Sequence, residues 1–302
     1  MERSAPMRGA LAEAKTIASA MPDMLIEARR VAATVLAGWH GRRVSGRGET
    51  FWQFRPFVTG EAAASNDWRR SARDEHLFVR EKEWEAAHTM WLWADMSPSM
   101  DFRSRLAPVS KQARAIVLTL ALADLLAVAG ERVGLLGGSD AILARNAAER
   151  LAMRIPAAAE RPGPPDARAV RRFADVVLFS DFLDPWAETE KSLDAILRAG
   201  SRAHLVQIVD PIEETFPYAG RTEFLDPETG VRHVVSRAEQ YRDEYGTRLV
   251  ALRERLAALC RRLDWTFLIH RTDRPATAPL LALHARLADR RHGLGLHAGR
   301  AA

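Results

Sequence analysis

Residues 89–100 read Thr89-Met90-Trp91-Leu92-Trp93-Ala94-Asp95-Met96-Ser97-Pro98-Ser99-Met100. Met90 to Ala94 is apolar at every position, so both faces of the segment need cover, and it stops abruptly at an acid and a polar turn. A strand at the centre of a parallel sheet, covered by helices on both sides, reads this way. Downstream the pattern repeats. A helix is expected from about Leu106 to Ala129, a strand at Arg132–Leu136, a helix around Ala147–Met153, and a strand at Val176–Phe179. Then come a helix at Trp186–Arg198, a strand at Ala203–Val209, a hairpin from Arg221 to Val235, a helix at Arg237–Leu263, a strand at Trp265–Ile269 and a last helix at Thr277–Arg290. Residues 157–167, AAAERPGPPDA, read as a loop. Short apolar strands alternating with helices specify an α/β fold with a doubly wound, mostly parallel sheet.

Upstream the chain reads differently. Residues 8–38 carry apolar side chains at helical spacing, including Leu11, Ala14, Met21, Ala28, Val31 and Val35, which predicts one or two helices broken around Pro22. Gly38, Gly41, Gly46 and Gly48 follow in quick succession and mark a loop feeding a strand. His76 to Trp84 alternates as a strand with one wet face. The expected division is an N-terminal helix-plus-strand module at 1–87, the α/β domain at 88–291 and a disordered tail at 292–302.

The chain has 302 residues, 47% of them hydrophobic and 27% charged, with a single cysteine. That composition excludes disordered, collagenous and disulfide-scaffold classes. Cys260 lies on the apolar stripe of Leu256 and Leu263 and reads as a small buried hydrophobe. The net charge of +5 points at first to nucleic acid, yet only four of the 44 basic residues are lysines, and 39 acids are interspersed with them. Nucleic-acid binding through Arg69, Arg70 and Arg73 around Trp68 is therefore a secondary reading. The longest apolar stretch, Ile116 to Ala129, is interrupted by Asp124 and is too short to span a bilayer. Glu2, Glu13 and Asp23 fall where an export or transit signal needs apolar or acid-free sequence, so a cytoplasmic location is expected.

Ligands of open α/β sheets bind beyond the carboxyl ends of the strands. There the sequence offers Asp95, Ser97 and Ser99 after the first core strand, and Ser180-Asp181-Phe182-Leu183-Asp184 after a later one. No GxGxxG follows the first strand and no GxxxxGK[ST] occurs, which removes the main support for dinucleotide and P-loop nucleotide binding. Two alternate serine hydroxyls flanked by Asp95 and Asp181 supply hard oxygens of the kind Mg²⁺ takes. The plainer alternative is that Ser97 and Ser99 cap the following helix.

These residues resemble the metal-ion-dependent adhesion site of von Willebrand factor A-like domains. The upstream block GRGETFWQFRPFVTGEAAASNDWRRSARDEHLFVREKEWE is similar to the signature that precedes such a domain in the domain-of-unknown-function 58 (DUF58) family. Gly46, Gly48, Phe51, Arg55, Pro56, Gly60, Asp67, Trp68, Ser71, Ala72, Arg73, Leu77, Val79, Arg80 and Glu81 match it. The resemblance implies a von Willebrand factor A-like, Rossmann-like fold and a metal site of Asp95, Ser97, Ser99 and Asp181 holding Mg²⁺, with Mn²⁺ as the alternative. It also implies a non-enzymatic adaptor that works with a MoxR-type AAA+ ATPase, whose carboxylate would complete the metal's ligands. Many relatives carry two membrane helices ahead of this block, and this chain shows none there.

Departures are as informative. The family has Gly-Asp where this chain has Gly60-Glu61, an Arg at Ala64 and an aliphatic residue at Asn66. Adhesion-type sites also take a Thr ligand before the second acid, whereas no Thr occurs from Glu131 to Ser180. Ser139, Asp140, Asn146 and Asp166 remain as substitutes, with Asp184 as a further nearby carboxylate. A phosphohydrolase of the haloacid dehalogenase type is a rival reading of Asp95, weakened because its second Asp is Ser97 here. His204 and His270 read as core or strand-end histidines.

Overall fold

The computed structural model describes residues 5–40, 51–56, 78–82, 88–138, 140–159 and 163–298. They fall into two compact units, one of Met1–Gly38 with His88–Ala302 and one of Trp39–Ala87. In the smaller unit β1 (Phe51–Pro56) pairs antiparallel with β2 (Phe78–Lys82), with a register irregularity between Phe51 and Gln53.

The larger unit is built on β3 (Thr89–Ala94), β4 (Arg132–Leu135), β5 (Asp175–Ser180), β6 (Arg202–Val209) and β9 (Thr266–Arg271). They form one sheet in the order β4-β3-β5-β6-β9, and every ladder is parallel. The chain moves outward from β3 on one side to β4, then returns to β5 on the other. The winding thus reverses between β3 and β5, the point where α/β sheets open a crevice at their carboxyl ends. Two antiparallel strands, β7 (Thr222–Leu225) and β8 (Arg232–Val235), form a separate hairpin between β6 and β9.

The central strands β3, β5 and β6 are covered on both faces, as the unbroken apolar run of β3 requires, while Ile269 on the edge strand β9 stays exposed. Met90, Leu92, Val177 and Phe179 pack in a core with the helices α1 (Ala5–His40), α2 (Lys111–Val128), α3 (Ala147–Ala152) and α8 (Thr277–Ala298). Trp91, Val176, Leu178 and Leu205 pack on the other side against Leu193 and Ile196 of α5 (Trp186–Arg198) and Leu256 and Cys260 of α7 (Arg242–Arg262). Among the described residues the other α-helices, α4 (Ile155–Ala159) and α6 (Pro211–Thr215), are single turns. Each fully buried Leu, Ile or Phe contributes roughly 1.5–3 kcal/mol, so these two layers hold the sheet.

Four expectations are corrected. Pro22 does not break the N-terminal helix: α1 runs through it, and Pro22 lies on the exposed face, away from Ile17, Met21 and Ala28. Because that buried stripe packs into the α/β core, α1 belongs with residues 88 onward and not with a module ending at 87. The last helix continues to Ala298, so residues 292–298 are helical. The second helix starts later than Leu106. Ser110 caps it, its hydroxyl accepting the Ala113 N–H at 3.2 Å, and Lys111 is its first residue. It stops at Gly130, whose positive φ of 74° lets the N–H groups of Gly130 and Glu131 return to Ala127 and Leu126.

Candidate functional site

The strand-end residues meet where the winding reverses. Asp95 follows β3 directly and its N–H donates to the Phe179 carbonyl of β5 at 2.9 Å, so both strand ends stay in register. One Asp95 oxygen accepts the Ser97 N–H at 2.9 Å and the other the Ser180 hydroxyl at 2.6 Å. The Ser97 and Ser99 hydroxyl oxygens lie 3.2 Å apart, and Ser99 donates to Asp181 Oδ2 at 2.9 Å. Asp181 Oδ1 accepts the Leu183 N–H at 3.0 Å, while Gln207 of β6 donates its amide to the Asp181 carbonyl. Between them Phe182 adopts a left-handed backbone, φ 56°, with its ring buried in the core beside Trp91. A non-glycine residue held there is strained, and the packed ring and flanking hydrogen bonds hold it in place.

Asp95, Ser97, Ser99 and Asp181 are therefore brought together as expected. Neither serine acts as a helix cap: Ser97 makes no side-chain cap bond to the single turn Pro98–Asp101, and Ser110 caps α2. Asp184 is three residues beyond Asp181, and burial followed by the charges of Asp181, Glu228 and Glu188 raises its carboxyl. Asp166 is engaged elsewhere, capping its own turn at Arg168 N–H and pairing with the Arg168 guanidinium. Ser139 lies outside the described residues, as do Gly46, Gly48, Gly60, Asp67, Trp68, Ser71 and Arg73; Phe51 and Arg55 lie on β1. The hairpin expected at 221–235 is present, and the carboxylate of Glu228 in its turn accepts the Ser99 N–H at 3.0 Å. His204 and His270 are buried strand residues, in keeping with the plainer expectation.

One residue that is not among the expected site residues lies at the centre. Lys111, 1% exposed, sets its ammonium 2.8 Å from Asp181 Oδ2 and 2.6 Å from Glu213 Oε1. Glu213 in turn accepts the Asp210 N–H at 2.7 Å through its other oxygen, and Asp210 caps α6 in a capping box. Burial alone would lower the ammonium's pKa, but Asp181 and Glu213 outweigh it and hold the group above its ordinary value. Burial, then Asp181, pushes the Asp95 carboxyl up to about 6.

The expected Mg²⁺ or Mn²⁺ does not fit this arrangement. Asp181 Oδ2 already takes two donors, the Ser99 hydroxyl and the Lys111 ammonium, which uses both of its lone pairs. A hard divalent ion wants six oxygens, and here a fixed positive charge occupies the side of Asp181 that would help to hold one. Among the described residues no group of three or more His, Cys, Asp or Glu side chains is placed to hold a metal.

The chain belongs to the family described as "Protein of unknown function DUF58", whose model matches residues 53–255, more than half of its length. It is 27% identical over 309 residues to uncharacterized proteins of Mycobacterium bovis and Mycobacterium tuberculosis, covering 95% of this chain and 93% of theirs. Among solved structures it is similar to the conserved hypothetical protein BatB from Bacteroides thetaiotaomicron, with a TM-score of 0.36 and 12% identity, covering 68% of this chain and 100% of that one. An aerotolerance-related membrane protein from Bacteroides fragilis matches at 14% identity with the same TM-score and coverage. No helix among the described residues of this chain is long and apolar enough to cross a membrane.

Proposed function

We propose that this DUF58 protein is a non-enzymatic, von Willebrand factor A-like adaptor that docks a protein partner at the carboxyl ends of β3 and β5. A MoxR-type AAA+ ATPase is the partner the family resemblance implies, acting with this chain in the assembly or maturation of a complex. One observation carries the reading: the polar centre of Asp95, Ser99 and Asp181 has exposed apolar side chains on the loops that form it. Phe102 and Leu106 follow Ser99, and Leu183 follows Asp181, all three exposed. The hairpin tied to Ser99 through Glu228 adds exposed Leu225 and Val234. Apolar side chains around an orienting polar centre are the composition of a protein-docking surface.

A phosphohydrolase remains the second reading, because Lys111 does reach the strand-end acids. Its ammonium faces Asp181 and Glu213, however, while both oxygens of Asp95, the nucleophile that chemistry needs, accept Ser97 and Ser180. The deciding experiment is co-purification with a MoxR-type ATPase encoded in the same genome, comparing wild type with Leu183→Asp and with the distant Arg168→Ala. Binding lost in the first and kept in the second supports docking at the strand ends; binding kept in both refutes it. Turnover of a generic phosphomonoester, abolished by Asp95→Asn, would establish the rival.

A further inference from the structure

We propose that Lys111 is the resident cation of the strand-end site, its ammonium balancing the charge that a divalent ion balances in an adhesion-type site, so that the site is complete without metal. The inference rests on the same strand ends as the docking reading, but on a different observation. Lys111 is the first residue of α2, where the helix dipole opposes a positive charge, and it stands one turn ahead of the fully buried run Ala115–Ala123, whose one polar residue is Thr119. Neither local propensity nor burial favours an ammonium at that position. Its two carboxylate contacts account for it: Asp181 from the end of β5 and Glu213 from the first turn after β6. A buried ammonium is tolerated only when paired and hydrogen-bonded in this way.

The contacts also make Lys111 a tie between segments. Through Asp181 it reaches Ser99, through Glu213 it reaches the capping box of Asp210, and Asp210 accepts the Ser104 N–H at 2.8 Å. The loop 95–104 is thus fastened at Ser99 to a carboxylate that Lys111 neutralises, Asp181, and at Ser104 to Asp210, whose backbone N–H is held by the other Lys111 partner, Glu213. A divalent ion joins such loops in the same manner by drawing carboxylates to one point. Here a covalently tethered charge does so, and cannot be removed by dilution or chelation.

The test uses the full chain. Wild type is titrated with Mn²⁺ by calorimetry, and melted with and without EDTA. No binding tighter than about 1 mM and a melting temperature that EDTA leaves unchanged are expected; micromolar Mn²⁺ binding lost in Ser99→Ala, or a melting temperature lowered by EDTA, overturns the proposal. Lys111→Met is expected to melt lower than wild type and to recover when Mn²⁺ is added; a variant as stable as wild type, or one that Mn²⁺ leaves unmoved, also overturns it. Should Lys111→Met not fold, the neutralised triple variant Lys111→Met, Asp181→Asn, Glu213→Gln decides. Recovered folding supports the charge-balancing role, and continued failure refutes it. Tight Mn²⁺ binding would sink this inference while leaving the partner's dependence on Leu183 standing, so the two readings fail separately.

Discussion

Ser99 and Glu228, 129 positions apart, are joined by a hydrogen bond of 3.0 Å from the Ser99 N–H to a Glu228 carboxylate oxygen. The bond closes the β7–β8 hairpin onto the loop that follows β3. Because Glu228 is exposed, its contribution to global stability is small, yet it is the partner of that backbone donor.

Glu228→Ala is therefore expected to speed hydrogen exchange at the Ser99 amide by about tenfold or more, through local opening. The denaturation midpoint should stay within about 0.5 kcal/mol of wild type. Residue-resolved exchange alongside urea melts checks both. An unchanged Ser99 rate would mean that the hairpin is held by other contacts.

Cys260 offers a check on the packing of α7. It is 2% exposed beside Leu256, and burial pushes its thiol up to about 12. Only the thiolate reacts with disulfide reagents, so the folded protein at pH 8 should titrate no thiol and the unfolded protein one. Reaction of the native state on the timescale of a free thiol would place α7 away from the sheet.

Much of this architecture is legible in the sequence because its strands are buried on both sides. Met90–Ala94 and Val176–Phe179 leave no polar face, and the helices between them follow apolar periodicity. The convergence of Asp95, Ser97, Ser99 and Asp181 follows from the same rule, since strand order brings those two ends together. Pro22 misleads because a proline on an exposed face costs a helix one hydrogen bond without costing it the packing that holds it. Lys111 is missed for a different reason. Its partners Asp181 and Glu213 lie 70 and 102 positions away, a distance no local pattern spans. A signal was present nonetheless: one of only four lysines in an arginine-rich chain stands at a helix N-terminus, against the dipole, ahead of a run that must be buried. The Asp210-x-x-Glu213 capping box was likewise readable, but not the salt bridge that its Glu makes.

His270 on β9 makes the stability of the larger unit sensitive to acid. Burial, and then the charge of Arg114, pulls its pKa down to about 4 from 6.5, with Asp273 acting weakly in the opposite sense. Its Nε2 is buried without a hydrogen-bond partner. Between pH 6.5 and 4 the unfolded chain holds a proton that the native state refuses, so stability falls as the pH falls through that window. The loss attributable to this residue is on the order of 3 kcal/mol. His270→Met should be nearly neutral at pH 7.5 and should lose less stability than wild type at pH 4.5. Equal acid sensitivity of the two proteins, measured by denaturant unfolding at both pH values, would show that His270 is not the group responsible.

Gly134 tests whether the sheet depends on close approach between β3 and β4. The two strands pair Trp91 directly with Gly134, and a Cβ at position 134 would lie 2.5 Å from the Trp91 ring. That ring cannot simply swing aside, because it is 4% exposed and packed in the core with Val176 and Leu178. Gly134→Ala should therefore destabilise the protein by about 1–3 kcal/mol, the usual cost of overpacking, although alanine ordinarily suits a strand better than glycine does. The cause can be isolated by a second change. Trp91→Leu removes the obstructing ring at its own cavity cost, and in that background Gly134→Ala should cost markedly less, giving a coupling energy above about 0.5 kcal/mol. Equal penalties in the two backgrounds would show that the glycine serves the backbone of β4 and not the ring of Trp91. Since β3 carries Asp95 to the site, the same variants should alter the exchange of the Asp95 amide, which is bonded to Phe179 on the opposite neighbour, if the strand moves as a unit.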